Sequence, residues 1–121
     1  MAAVRYLVPD VGAAVDFYLK QLGFELVQRY GPAMAIVERG DLQLWLAGPS
    51  ASASQPMPDG RRPVPGGWNR LVLEVDDLDA VSERLRAAGA SFRNEPVIGP
   101  GGRQVLVEDP AGNPIELYEP R

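Results

Sequence analysis

The 121-residue sequence contains no cysteine and no histidine. The first absence excludes disulfides, thiolate nucleophiles and cysteine-based zinc sites. The second excludes imidazole–metal sites and any catalytic triad that needs an imidazole as base. Acid–base work is left to carboxylates, tyrosine, water and one lysine, Lys20. No apolar run approaches the ~20 residues that a membrane-spanning helix needs. The N-terminus, Met1-Ala2-Ala3-Val4-Arg5, lacks the basic-then-apolar layout of a signal peptide. A cytoplasmic location with no membrane partner is therefore expected. The net charge of −4 repels phosphate backbones, so nucleic acid is not an expected partner.

What is present is ordinary for one globular domain: 45% hydrophobic and 23% charged residues. A chain of this size buries roughly two-thirds of its unfolded surface, enough for a core without covalent staples. One segment breaks the composition. Gly48 to Gly67 is rich in proline, glycine and serine and shows no periodicity. Neither a helix nor a central strand is expected there. It divides the chain into residues 1–47, a linker 48–67, and residues 68–121. A connection this long inside a compact domain is commonly a tether or a lid.

The flanking parts repeat one another. Each begins with a short apolar run, Val4 to Val8 or Arg70 to Val75, which reads as a strand. Asp10 and Asp77 follow, placed to cap a helix. Apolar residues then recur at helical spacing: Val11, Val15, Tyr18, Leu19 and Leu22 in one part, Leu78, Val81, Leu85 and Ala88 in the other. Gly23 and Gly89 fit the left-handed position that ends a helix. Strands are expected at 24–30, 33–39 and 42–46, and again at 91–96, 103–108 and 114–118. The order is βαβββ, linker, βαβββ. The fold class is α+β, with one helix covering one face of each four-stranded sheet.

Val8-Pro9-Asp10-Val11, Phe17-Tyr18, Leu22-Gly23-Phe24 and above all Glu108-Asp109-Pro110-Ala111-Gly112-Asn113-Pro114-Ile115-Glu116-Leu117 resemble the vicinal oxygen chelate superfamily. That superfamily includes glyoxalase I, extradiol dioxygenases, fosfomycin-resistance enzymes and bleomycin-resistance proteins. The resemblance implies two βαβββ modules forming a curled mixed-sheet cup that holds a ligand or metal, and a homodimer. Whether modules pair within or between chains is left open by a linker of this length. Metal-bearing relatives supply ligands from four slots, which here match Ala3, Gln43, Arg70 and Glu116. Alanine cannot ligate, and arginine brings a fixed positive charge with no lone pair. No catalytic metal and no other cofactor is therefore expected. Arg70 is instead expected to reach Glu116 and take over the metal's charge role.

Alternation along the last strand sends Ile115 and Leu117 to the helix side, and Glu116 and Tyr118 to the other. By the same parity Gln43 and Trp45 share a face, as do Trp68 and Arg70, and Arg5 joins them. Met34 and Ile36 are candidates for that face. The expected ligand-binding residues are Arg5, Met34, Gln43, Trp45, Trp68, Arg70, Glu116 and Tyr118, with no catalytic or metal-ligating residue. Two tryptophans suit stacking on a planar ligand. Arg5 and Arg70 favour a neutral or anionic aromatic core. The expectation is a metal-free, non-catalytic protein that sequesters an aromatic antibiotic, as the bleomycin-resistance branch does. The alternative is a metal-independent enzyme, for proton transfer or rearrangement, built on Glu116 and Arg70. A scaffold role would instead leave the cup filled and closed.

Overall fold

The computed structural model describes residues 1–121 as two compact units, Met1–Gly66 and Gly67–Arg121. The first contains β1 (Ala3–Leu7), α1 (Val11–Leu22), β2 (Glu25–Tyr30), β3 (Met34–Arg39) and β4 (Leu42–Ala47), followed by a 3₁₀ turn at Ser52–Ser54. Its sheet runs β1-β4-β3-β2, with β1 parallel to β4 and the other pairs antiparallel. The second contains β5 (Leu71–Glu74), α2 (Leu78–Ala87), β6 (Val97–Gly99), β7 (Gly102–Glu108) and β8 (Pro114–Pro120). Its sheet runs β5-β8-β7-β6, again with one parallel pair. Both units are βαβββ modules, and the fold class is α+β. No helix is long and apolar enough to cross a membrane.

The local chemistry explains the shared plan. Asp10 Oδ1 accepts from the Ala13 N–H at 3.0 Å, and Asp77 Oδ1 from the Ala80 N–H at 3.0 Å. Each cap satisfies an orphan donor and contributes ~1 kcal/mol. Gly23 (φ 71°) and Gly89 (φ 90°) turn the chain left-handed after each helix. Helix α1 buries Val11, Ala14, Val15, Tyr18 and Leu22. Tyr18 is fully buried and meets Phe17 and Phe24 edge-on, each ring pair 5.3 Å apart.

Helix α2 departs from the expected stripe. It buries Leu78, Ser82 and Leu85, while Val81 is half-buried and Ala88 is exposed. Ala88 is the cap, with φ −83° and ψ 1°, so it leaves the helical line. Offsets of four and seven from Leu78 place Ser82 between the two leucines. The Ser82 hydroxyl is consequently buried with no hydrogen-bond partner. The helix is tied to its sheet by polar contacts as well. Glu119 Oε1 accepts from the Leu78 N–H at 2.9 Å, and Arg103 bridges Asp79 and Glu119 at 3.2 Å each. Hydrogen bonding to Asp79, and then to Glu119, raises the Arg103 pKa above its ordinary value. The guanidinium therefore stays charged at any working pH.

A second correction concerns the strand expected at 91–96. Phe92 makes only a single bridge, to Val107, and the paired strand begins at Val97. Asn94 Oδ1 accepts from the Leu106 N–H at 2.9 Å, so a side chain takes the role of a backbone carbonyl. Pro96 offers no donor, which delays pairing further. The first strand of this module is also shorter than expected. It starts at Leu71, leaving Trp68 and Arg70 ahead of the ladder.

Asp109 organises the turn before β8. The residue is 4% exposed. Its Oδ1 accepts from the N–H groups of Ala111 and Asn113, both at 2.9 Å, and its Oδ2 from the Asn113 side-chain amide at 3.1 Å. Gly112 supplies the positive φ (86°) that closes the loop. The segment after β4 is likewise folded locally. Ala51 is buried, and Gln55 donates to the carbonyls of Pro49 and Ala51. Met57 and Arg61 pair through the backbone at 2.7 Å.

Candidate functional site

In the first unit, strand register decides which side chains share the helix-free face. Ala3 lies beside Gln43, Arg5 beside Trp45 and Leu7 beside Ala47. Across the next ladder, Glu38 lies beside Gln43, Ile36 beside Trp45 and Met34 beside Ala47. Arg5, Met34, Ile36, Gln43 and Trp45 therefore occupy one face, flanked by fully buried Ala35, Val37, Leu44 and Leu46 pointing to the other. The Arg5 guanidinium lies 5.1 Å from the Trp45 ring centroid. The Trp45 indole N–H donates to Gln43 Oε1 at 3.2 Å. Trp45 is thus fixed at its edge and covered by a cation. Met34 and Ile36, both half-buried, extend the apolar surface beside it.

In the second unit, Glu116 of β8 stands between Val72 and Leu106, and Tyr118 between Glu74 and Gln104. Ile115 and Leu117 are fully buried on the opposite face. Arg70 reaches Glu116: its Nε and Nη2 donate to Oε1 at 3.1 and 2.9 Å. The Glu116 side chain is 11% exposed and that of Arg70 30%. A third Arg70 N–H donates to the Trp68 carbonyl at 3.2 Å. The Tyr118 hydroxyl comes so close to Gly101 that a Cβ there would sit 2.6 Å from it.

Trp68 does not sit on the strand face that parity assigned it, because it precedes β5. It is 68% exposed. Its ring is met by a residue that sequence reasoning missed, Arg93, whose guanidinium lies 4.6 Å from the centroid. Arg93 also pairs with Glu108 at 2.8 Å and donates to the carbonyls of Gly67 and Gly112. No local pattern announces this role, since those three partners lie 15, 26 and 19 residues away. A cleft of 530 Å³ opens beside Arg93, with Arg86 stacked on Phe92 at 4.2 Å in its wall.

The donor set does not fit a transition metal. Ala3 has no donor atom, the Gln43 oxygen already accepts from Trp45, and Arg70 binds the carboxylate of Glu116. No three His, Cys, Asp or Glu side chains come together in a way that could hold a metal ion.

The chain matches the Glyoxalase/Bleomycin resistance protein/Dioxygenase superfamily over residues 1–117, and it belongs to that family. Among solved structures it is similar to TnmS3, an antibiotic binding protein from Streptomyces sp. CB03234. Identity is 31% over all of this chain and 97% of that one, with a TM-score of 0.70. A superfamily member from Sphaerobacter thermophilus DSM 20745 is 29% identical over 98% of this chain and 97% of that one, with a TM-score of 0.73. Lactoylglutathione lyase from Agrobacterium tumefaciens shares the fold at 24% identity, covering 98% and 92% of the two chains, with a TM-score of 0.74. No curated protein matches the chain. The fold thus carries antibiotic-binding proteins and enzymes alike.

Proposed function

We propose that this protein is a metal-free, non-catalytic binder that sequesters a small aromatic natural product, acting as a homodimer in the cytoplasm. The observation that carries the reading is the Arg70–Glu116 pair. Where metal-bearing relatives present ligands, this chain places a guanidinium that satisfies the one carboxylate left. A site without a Lewis acid retains shape, stacking and hydrogen bonding as its means of recognition. In the first unit Trp45 supplies a flat surface, Met34 adapts in shape, and Arg5 and Gln43 fix the indole; in the second, Trp68 and Tyr118 supply flat surfaces. The 31% identity to an antibiotic binding protein supports the same reading.

The test is a panel of glycopeptide, quinone and enediyne-type antibiotics, read by tryptophan fluorescence and thermal shift. A true ligand at a hundred times its Kd stabilises the fold by about 2.7 kcal/mol. Micromolar or tighter binding of an aromatic member, recovered unchanged after release, is the expected result. The absence of any micromolar binder overturns sequestration. Chemical conversion of the ligand would favour the metal-independent enzyme instead, with Glu116 moving a proton and Arg70 stabilising an oxyanion.

A further inference from the structure

Trp68 combines two properties that rarely go together: high exposure and dense fixation. Its side chain stands largely in solvent, yet the chain around it is held on both sides. Arg93 donates to the carbonyl of Gly67, the residue before it. Arg70 donates to the carbonyl of Trp68 itself. Each of these arginines is in turn held by a carboxylate, Arg93 by Glu108 and Arg70 by Glu116. Arg93 is further anchored on the Gly112 carbonyl, inside the turn that Asp109 organises. Its side chain is only 14% exposed, so the cation lies between the turn and the indole.

An exposed tryptophan after two glycines would ordinarily sample many orientations, because Gly66 and Gly67 leave the backbone free. Here both glycines adopt positive φ, 107° and 87°, and the second is fastened by Arg93. One face of the indole is taken by the guanidinium. The first unit repeats the device with other residues, Arg5 against the face of Trp45 and Gln43 at its edge. A guanidinium against one ring face leaves the opposite face as the stacking surface.

We infer that Arg93 is a positioning residue for ligand binding: it pre-sets the Trp68 indole as a platform on which a planar aromatic ring stacks. The inference rests on the ligand-binding reading above and adds a residue and a contact mode to it. Pre-orientation removes the entropy cost of ordering the side chain on binding, so loss of Arg93 raises the dissociation rate more than it alters association. The ring that stacks here is neutral or anionic, because a cation would face Arg93 through the indole.

The ligand-free readout uses the full chain with Trp45→Phe, which leaves Trp68 as the sole tryptophan. Arg93→Lys keeps a charge for Glu108 but loses the fork and the flat contact; Arg93→Gln is a second variant in case one folds poorly. The first readout needs no ligand. Time-resolved anisotropy and acrylamide quenching should show Trp68 rigid with Arg93 present. In either variant the quenching constant should rise about twofold, a change that loss of global stability alone does not produce while the protein stays folded. Unchanged Trp68 motion in both variants overturns the positioning role. The second readout titrates two planar probes, 9-anthracenecarboxylate and 9-aminoacridine, into the chain that retains Trp45 and into the Trp45→Phe chain, the first reporting affinity and the second the quenching of Trp68. Quenching of Trp68 by the anion, with affinity about tenfold lower in the variants, supports the inference. Tighter binding of the cationic probe, or no response of Trp68 to either probe, overturns its contact mode. The sequestration reading fails separately, through the antibiotic panel on the unaltered protein.

Discussion

Replacing Arg70 by methionine and Glu116 by glutamine, singly and together, measures how strongly this pair is built into the second unit. Two hydrogen bonds converge on one carboxylate oxygen, at 3.1 and 2.9 Å. Truncating one member of a fully buried pair costs ~3–5 kcal/mol, whereas an exposed pair contributes about 0–1 kcal/mol. Glu116 lies near the buried limit at 11% exposure, but Arg70 at 30% is partly screened by water. Arg70→Met should therefore cost about 2 kcal/mol, chiefly from a carboxylate left without its partner. Glu116→Gln keeps an oxygen for Arg70 and should cost about 1 kcal/mol. The double variant buries no lone charge and should lose only about 1.5 kcal/mol, a coupling of about 1.5 kcal/mol. Urea unfolding of the full chain, with m-values compared across the four proteins, gives these numbers. Additivity within about 0.5 kcal/mol would refute the claim that the pair satisfies itself. It would mean that each group is served by water.

Three further outcomes follow from the same structure. Asp109→Ala removes three hydrogen bonds from a buried turn, and should lower stability by about 3 kcal/mol in the same urea assay. Ser82→Ala removes a buried hydroxyl without a partner and improves helix propensity, so it should raise stability by about 1 kcal/mol; a loss would show that the hydroxyl is bonded in solution. Titration with Zn²⁺ or Ni²⁺ in a calorimeter should give no stoichiometric tight binding, and a one-to-one tight isotherm lost in Glu116→Gln would contradict the donor-set argument.

Much of the fold was legible because its signals are local. Asp10 and Asp77, the helical stripe of α1, and the glycines that stop both helices each act within a few residues. The Asp109–Asn113 motif is equally local, and the hydrogen bonds that Asp109 makes within it span at most four residues. The failures share the opposite cause. Asn94 replaces a backbone acceptor for Leu106, so periodicity through 91–96 could not show that the ladder starts late. Ser82 rather than Val81 faces the core because the angular position of α2 is set by Leu78 and Leu85 against the sheet. Parity along the strands assigned Arg5, Met34, Gln43 and Trp45 to one face and Glu116 and Tyr118 to another, and the pairing register has the same alternation. Parity could not place Trp68, which lies outside any strand.

By itself the sequence determined the chemistry that is ruled out. Without histidine or cysteine, no arrangement of this chain forms an imidazole–metal or thiolate–metal site. It also determined the two βαβββ modules, since their caps, stripes and turns are written in residue order. Tertiary structure decided which contacts the arginines of the second unit make. The Arg70–Glu116 contact, expected from the sequence, joins residues 46 apart, whereas Arg93 meets Glu108, Gly67 and Gly112 at separations of 15, 26 and 19 residues with no local signal. Ion pairs and ring contacts between distant segments depend on where folding puts their atoms, and residue spacing carries no record of that.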